Sequence, residues 1–161
     1  MFRKIVSGGQ TGVDRAALDF AQAHNLPAGG WCPKGRRADD GAIPAGYPLR
    51  ETSTSDYRQR TLKNVLESDG TLILHHGTLH GGTLLTLRMA RSLNKPHRAF
   101  NLRGNVDLSA VRDWLEQSRI DTLNVAGPRE RGFPGIHDHA KEFLAALFRG
   151  EVVWMRPVTD A

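Results

Sequence analysis

Short apolar runs alternate with amphipathic stretches along the whole sequence, and this alternation limits the possible folds more than any other feature. Three of the runs, Lys4–Ser7, Thr71–His75 and Thr122–Ala126, are followed by clusters of glycine. A short apolar run followed by an amphipathic stretch predicts a strand and then a helix, and repeats of this unit favour a parallel sheet. The sequence therefore predicts an α/β fold, with a doubly wound, mostly parallel sheet and helices on both faces.

The pattern predicts five or six strands and five helices. The strands are predicted over Lys4–Ser7, Pro27–Trp31, Thr71–His75, His97–Leu102 and Thr122–Ala126, with a further edge strand over Glu151–Arg156. The helices are predicted over Val13–His24, Tyr57–Ser68, Gly81–Leu93, Leu108–Ser118 and Gly135–Phe148, the second of them capped by Ser55 or Asp56. Cys32–Tyr57 is predicted to be a long loop, and loops of this length are usually functional or disordered.

Composition restricts the class of protein. The length of 161 residues suits one domain, residues 1–161. Lys and Arg number 22 against 17 Asp and Glu, and a net charge of +5 favours anionic partners. These charges are spread along the chain, which argues against a nucleic-acid surface. A single cysteine excludes an internal disulfide. The sequence has no apolar run of ~20 residues and no apolar leader, so we expect no membrane contact and a cytoplasmic location.

The first candidate site is the segment SGGQTGVDR, residues 7–15, between a predicted strand and a predicted helix. Backbone N–H groups at the start of a helix attract phosphate, so the candidate binding residues are Gly8, Gly9, Gln10, Thr11 and Gly12. The spacing matches neither G-x-G-x-x-G nor the P-loop, so an NAD fingerprint and a Mg-ATP hydrolase are not supported. The alternative is a plain strand-to-helix turn, with Asp14 as a helix-start residue.

A second glycine-rich segment, residues 77–83, leads into the third predicted helix, Gly81–Leu93. Its candidate binding residues are Gly81, Gly82 and Thr83, and Thr83 would either contact a phosphate or cap the helix. Strands of a parallel sheet end at one edge, so both glycine-rich turns are predicted to flank a single pocket there.

Arginines supply the remaining binding candidates. Arg36 and Arg37, in the long loop, are predicted to clamp an anion, and Arg129 after the last core strand is placed to do the same. For Arg129 a solvated pair with Glu130 is an equally good interpretation. The nearby cations would favour a thiolate at Cys32, although a small buried residue is the more frequent role of a free cysteine.

The histidines do not predict a metal site. His75–His76 point to opposite faces of a strand, and His137–His139 lie on different sides of a helix. No cysteine–histidine spacing is typical of zinc, so no protein-ligated metal is predicted. The acidic pairs Asp39–Asp40 and Asp138–Glu142 are predicted to be solvated.

Several long blocks, read together, resemble a known family. SGGQTGVDRAALD, GGWCPKGRRADDG, IPAGYPLRET, SDGTLIL, GGT and LNVAGPRE follow one another as in the proteins named for carrying the molybdenum cofactor, from about Lys4 to Phe148. That family belongs to the Rossmann-like superfamily that includes the lysine-decarboxylase-like phosphoribohydrolases. The resemblance implies a Rossmann-like fold, a homo-oligomer, and a ligand near the glycine-rich turns, either the molybdenum cofactor (molybdopterin) or a nucleotide.

The resemblance also implies a limit on enzymatic chemistry. The phosphoribohydrolases carry the motif PGGxGTxxE, and here Arg88 stands where that motif has its catalytic glutamate. A carrier of a phosphate-bearing anionic ligand is therefore the leading hypothesis. The alternatives are a nucleotide-processing enzyme of the glycosidic-bond hydrolase type, with Asp14, Asp39 or Glu130 as its carboxylate, and a nucleotide-ligand sensor.

Overall fold

A computed structural model of the protein describes residues 1–151 and 154–155. The helices are α1 (Val13–Ala23), α2 (Tyr57–Leu66), α3 (Gly81–Ser92), α4 (Leu108–Gln117) and α5 (Ile136–Phe148). The strands are β1 (Lys4–Val6), β2 (Ala28–Gly29), β3 (Trp31–Cys32), β4 (Arg37–Ala38), β5 (Gly41–Ala42), β6 (Arg50–Glu51), β7 (Gly70–His75), β8 (His97–Asn101), β9 (Val106–Asp107), β10 (Thr122–Ala126) and β11 (Trp154–Met155).

The central sheet has five parallel strands in the order β2-β1-β10-β7-β8. The crossover from β1 through α1 to β2 runs toward one edge, and the crossover from β7 through α3 to β8 runs toward the other. Right-handed crossovers in opposite directions place their helices on opposite faces of the sheet. The predicted α/β, Rossmann-like doubly wound fold is confirmed, and its topological switch point lies around β1, β10 and β7.

One face of the sheet carries the apolar core. Helix α1 packs against α5, and α5 packs against α4. The side chains of Ile5, Leu72, Leu74, Leu123 and Val125 alternate along their strands toward these helices and are fully buried in the main hydrophobic cluster. This alternation leaves the other side chains of the same strands for the opposite face.

The opposite face is more polar. The residues that α2 buries are Thr61, Asn64 and Val65, and those that α3 buries are Thr83, Thr86 and Ala90. Strands β7 and β10 send the buried Thr71 and Asn124 to this side, where the Asn124 amide contacts the Thr71 hydroxyl at 3.2 Å. A polar interior on one face of the sheet provides hydrogen-bonding groups for a ligand.

The second predicted strand is shorter than the sequence pattern indicated. It ends at Gly29 because Gly30 has φ +127°, and a Cβ there would overlap the carbonyl oxygen of Ser7. Trp31 and Cys32 pair instead with β6 in a separate two-stranded sheet. The predicted loop over Cys32–Tyr57 is therefore largely ordered by short strands, including the β4–β5 hairpin.

The C-terminal edge-strand prediction is confirmed only for Trp154–Met155. These residues pair antiparallel with β9, outside the central sheet, whereas Val152, Val153 and Arg156 lie outside the described residues. Asp56 caps α2 by accepting a hydrogen bond from the Arg58 N–H. Within residues 1–151 and 154–155, every helix is too short or too polar to cross a membrane.

Candidate ligand-binding pocket

A pocket of about 500 Å³ lies at the carboxyl ends of β1 and β10, between them and the helices α2 and α3. Its position is the switch point of the sheet, where doubly wound folds bind their ligands, and its volume suits a small molecule. The predicted site residues that line it are Gly8, Gln10, Gly81, Gly82, Thr83 and Arg129. The other five, Gly9, Thr11, Gly12, Arg36 and Arg37, lie outside its lining.

The start of α3 is open toward the pocket. His80 occupies the N-cap position but makes no side-chain capping hydrogen bond. A Cβ built on Gly81 or Gly82 would meet nothing within 4 Å. The first N–H groups of a helix have no acceptor within the helix, so this end can bind an anion. Thr83 is buried and the N-cap residue is His80, so of the two interpretations of Thr83 the helix cap is wrong.

The first glycine-rich turn, in contrast, is closed by its own groups. The N–H of Gln10 donates to Asp14 Oδ2 at 3.3 Å, and the N–H of Thr11 donates to Gln10 Oε1 at 2.9 Å. The N–H of Val13 donates to the carbonyl oxygen of Pro128 at 3.2 Å. Gly9 is covered by the side chains of Ile43 and Leu49. These amides are already paired, so this turn offers an anion far less than the start of α3.

Asp14 and Arg60 form a buried ion pair at the pocket. Their closest N–O distance is 3.1 Å, and the side chains are only 8% and 12% exposed. Burial raises the pKa of the Asp14 carboxyl, although the Arg60 guanidinium opposes that shift. A Cβ on Gly8 would overlap this guanidinium, which therefore passes directly over the glycine. Asp14 is thus more than a helix-start residue.

Tyr57, at the start of α2, lines the pocket and contacts three guanidinium groups. The guanidinium carbons of Arg37, Arg60 and Arg129 lie 5.8, 5.3 and 5.4 Å from the centre of its ring. These are cation–π distances. The sequence analysis missed Tyr57 and Arg60, because no local motif indicates which face of α2 meets the ends of β1 and β10.

Arg36 organises the long segment. Its guanidinium donates to the carbonyl oxygens of Ile43, Pro44, Tyr47 and Leu49 at 2.8–3.3 Å. A guanidinium that already has four backbone acceptors has few donors left for a ligand. Arg36 therefore holds together the part of the Cys32–Tyr57 segment whose Ile43 and Leu49 side chains cover the first glycine-rich turn, called the wall below.

Tyr47 ties this wall to α1. Its hydroxyl donates to Asp19 Oδ1 at 2.6 Å, and burial together with this hydrogen bond raises the pKa of Tyr47 to about 12. The other oxygen of Asp19 lies 2.7 Å from His137 Nε2. Burial lowers the pKa of His137, but the hydrogen bonds to Asp138 and Asp19 outweigh burial and raise the pKa overall.

Two of the four acidic residues that were predicted to be solvated, Asp39 and Asp40, pair with arginines, while Asp138 and Glu142 are exposed. Asp39 is only 14% exposed and contacts Arg129 at 2.7 Å, and Asp40 pairs with Arg15. The pairing with Arg15 lowers the pKa of Asp40. Glu130 does not pair with Arg129, since its carboxylate accepts hydrogen bonds from backbone N–H groups at the start of α5. The prediction of a solvated carboxylate is therefore wrong for Asp39, whereas Asp40 is 49% exposed. The alternative interpretation of Arg129 as the partner of Glu130 is wrong.

The histidines contact groups that the sequence pattern did not suggest. His76 Nε2 lies 3.0 Å from His139 Nδ1, which joins the end of β7 to α5. Burial lowers the pKa of His139 and that of His75, whose Nδ1 lies 2.9 Å from the carbonyl oxygen of Gly77. Among residues 1–151 and 154–155, no group of three or more His, Cys, Asp or Glu could hold a metal ion.

Cys32 is fully buried on β3. Burial raises the pKa of its thiol, an effect that the nearby Arg36 guanidinium only partly opposes. The prediction of a small buried residue is confirmed, and the alternative of a favoured thiolate is wrong.

Comparisons with known proteins identify the family. A family model described as the circularly permutated YpsA SLOG family matches residues 5–148. Among solved structures, a protein from Syntrophus aciditrophicus SB with the printed name "Putative molybdenum carrier protein" is 47% identical in sequence. The match covers 91% of this chain and 94% of that chain, with a TM-score of 0.87. No curated protein matches the chain. Because the family model spans most of the sequence, this chain belongs to the circularly permutated YpsA SLOG family.

Proposed function

We propose that this protein is a carrier that binds the molybdenum cofactor, or a closely related phosphate-bearing anion, in the pocket between α2 and α3. The observation that carries the proposal is the uncapped start of α3, where Gly81 and Gly82 leave the helix N-terminus open toward the pocket. A phosphate group there would accept hydrogen bonds from the free N–H groups and interact favourably with the helix dipole.

The charge around the pocket supports an anionic ligand. Arg129 and Arg131 line it and are 45% and 81% exposed, and Arg60 lies deeper, beside Asp14. The sequence hypothesis assigned the phosphate to Gly9–Gly12 as well as to Gly82–Thr83. Since the first turn is already closed by its own hydrogen bonds, we assign the phosphate to the start of α3, with Arg129 and Arg131 as cationic partners in the same pocket.

The family relation supports the choice of cargo. The similar protein from Syntrophus aciditrophicus SB is named as a molybdenum carrier, and the match extends over nearly the full length of both chains. The described part of the chain provides no cluster of metal ligands. We therefore propose that recognition is directed at the anionic and hydrogen-bonding groups of the cofactor.

A single substitution tests where the phosphate binds. Gly82→Asp puts a carboxylate in the first turn of α3, where it interacts favourably with the helix dipole but repels an anion. We expect normal folding and at least a tenfold loss of affinity, about 1.4 kcal/mol, for a molybdopterin-type ligand in calorimetric titration. Gly46→Asp, at an exposed position with open space around its Cβ, adds the same charge away from the pocket and is the control. Equal affinity in both variants would contradict the proposal.

A second candidate function, hydrolysis at the glycosidic bond of a nucleotide, is favoured by one observation. Of the three carboxylates that the sequence offered, Asp14 alone lines the pocket, and burial raises its pKa, as is common for a general acid. If the protein is this enzyme, incubation with nucleoside monophosphates will release free base, and Asp14→Asn will abolish the release. A ligand recovered unchanged supports the carrier.

We also propose that the protein is a homo-oligomer that associates through α2. Helix α2 buries Thr61 and Asn64, yet Leu62 and Leu66 are 38% and 45% exposed. Leucines turned outward while polar residues are turned inward are typical of an interface. We expect light scattering to show an oligomer that Leu62→Glu with Leu66→Glu converts to a monomer. Gln117→Glu, an exposed change on α4, is the control.

A further inference from the structure

The β4–β5 hairpin brings a carboxylate to the arginines of the pocket. Asp39 Oδ1 lies 2.7 Å from Arg129 Nη1, and its Oδ2 lies 3.8 Å from Arg131 Nη2. Both arginines line the pocket, whereas Asp39 belongs to the segment that covers the first glycine-rich turn. The Asp39 side chain is 14% exposed, so it is held against the arginines and is not free in solvent.

The backbone of the hairpin is fixed in this position. The N–H of Asp39 donates to Gln10 Oε1 at 2.8 Å, and Gln10 is itself buried and lines the pocket. The same Oε1 also accepts from the N–H of Thr11, which fixes the orientation of the Gln10 amide. The carboxylate is therefore placed on the two arginines by contacts that do not involve them.

Two buried donors in the lining of the pocket lack an acceptor. Among the described residues, five buried side-chain atoms lack a hydrogen-bond partner, and two of them, Gln10 Nε2 and Arg60 Nε, belong to residues that line the pocket. Each of these groups can donate a hydrogen bond. A buried donor without an acceptor destabilises a structure, so a ligand acceptor that reaches these two groups would be stabilising.

We propose that Asp39 is an internal competitor of the ligand, and that an anionic group of the ligand displaces its carboxylate from Arg129 and Arg131. This inference rests on the proposed function, because it concerns the same pocket. Arg60 is already balanced by Asp14, so the charge available to a ligand is that of Arg129 and Arg131. Binding exchanges the Asp39–Arg129 pair for a ligand–Arg129 pair, which lowers the affinity and makes release of the ligand easier. Asp39 thus determines how tightly an anion is held.

The neighbouring Asp40 provides a matched control. The Asp40 side chain is 49% exposed and pairs with Arg15, which does not line the pocket. Asp39→Asn and Asp40→Asn remove the same charge from adjacent residues of one hairpin. A general electrostatic effect would change the affinity equally in both variants, whereas direct competition affects only Asp39→Asn.

The experiment is calorimetric titration of the full-length protein and both variants with inorganic pyrophosphate at low ionic strength. We expect Asp39→Asn to bind roughly two- to fivefold more tightly, the change that corresponds to a partly exposed ion pair, and Asp40→Asn to bind within about 1.5-fold of the unmodified protein. The difference should shrink in added salt, because screening weakens the competing pair. Melting temperatures of the three proteins show that all are folded.

Two results would overturn the inference. If Asp39→Asn binds no more tightly than the unmodified protein, or gains no more than Asp40→Asn, Asp39 does not compete with the anion. Gly82→Asp separates this failure from that of the proposed function. Binding that Gly82→Asp abolishes but Asp39→Asn leaves unchanged rejects only the competitor, whereas absence of binding in every protein rejects both proposals.

Discussion

The two glycine-rich turns look alike in sequence but differ in the structure. In the first turn a Cβ on Gly8 would overlap Arg60, and a Cβ on Gly12 would overlap the backbone around Pro128. At the start of α3, a Cβ on Gly81 or Gly82 would meet open space. The first turn needs glycine because other parts of the protein pack against it, while the second leaves room for something that is not part of the chain.

This difference teaches how to interpret a glycine cluster after a strand. Glycine permits close approach of another group, and that group can be a neighbouring segment or a ligand. The first turn is approached by the segment from Pro128 to Glu130 and by the wall that includes Ile43 and Leu49. The second turn keeps its helix N-terminus uncapped. Substitutions in the two turns should therefore affect different properties, stability in one and ligand binding in the other.

The largest effect is expected from Asp14→Ala, which removes an acceptor of the closed turn and the partner of Arg60. A buried guanidinium left without its carboxylate costs about 3–5 kcal/mol of folding free energy. Urea denaturation measures this loss. Asp40→Ala, which breaks the more exposed pair with Arg15, should cost no more than about 1 kcal/mol. Similar losses in the two variants would contradict the assignment of Asp14 to the framework of the turn.

Gly12→Ala should be nearly as damaging. Gly12 has φ +82°, and a Cβ there would come within 2.7 Å of Glu130 N. With ψ −130°, this positive φ lies outside the left-handed α region, in a conformation nearly restricted to glycine that costs roughly 1–3 kcal/mol for alanine, and crowding adds about 1–3 kcal/mol. Thermal unfolding should therefore show a clear decrease in melting temperature. A variant as stable as the unmodified protein would show that the first turn is not packed as described.

Gly82→Ala should weaken ligand binding and leave the folding stability intact, the opposite of Gly12→Ala. Its Cβ meets no atom within 4 Å, and alanine is a better helix former than glycine by about 0.5–1 kcal/mol. We expect unchanged or slightly higher stability in thermal unfolding. Titration should show weaker binding of a phosphate-bearing ligand, because the new methyl group lies where the anion would sit. If stability falls while affinity stays constant, the contrast between the two turns is wrong.

The smallest effect concerns Asp19 on α1, which accepts a hydrogen bond from Tyr47 of the wall over the first turn and also contacts His137 of α5. The hydrogen bonds to Asp138 and Asp19 raise the pKa of His137 above its ordinary value of 6.5 despite burial. A raised histidine pKa adds stability that is fully present below pH 6.5 and is lost as the pH rises through the higher folded pKa. We expect this contribution to the free energy of unfolding to be less than about 1 kcal/mol. It is measured by comparing how the free energy of unfolding changes with pH in the unmodified protein and in His137→Gln. An identical pH dependence in both proteins would contradict this role.

The sequence predicted the fold well because hydrophobic periodicity is a local property. The five helices begin and end within two residues of their predicted positions, and four of the predicted strands of the central sheet lie where expected. The second strand was wrong at its end because the conformation of Gly30 depends on how closely Ser7 approaches. That approach is a tertiary contact, and no local pattern encodes it.

The site was predicted only in part for the same reason. The glycine pair at the start of α3 follows from sequence, since a strand, glycines and a helix lie in order. Arg60, Tyr57 and the pairing of Asp39 with Arg129 join segments that are far apart in the chain. For Arg36 the local sequence was misleading. Two adjacent arginines, Arg36 and Arg37, suggested an anion clamp, but the guanidinium of Arg36 donates to backbone carbonyl groups.

The guanidinium of Arg60 lying over Gly8 has a consequence for how this sequence can vary. Any side chain at position 8 would displace Arg60, and Asp14 would then lose the cation that neutralises it. The three positions are therefore coupled: a relative with a larger residue at position 8 should also have a shorter residue at position 60 and an uncharged one at position 14. An attempt to redesign the pocket has to treat the three residues as one unit, and single-site libraries at position 8 should return glycine alone.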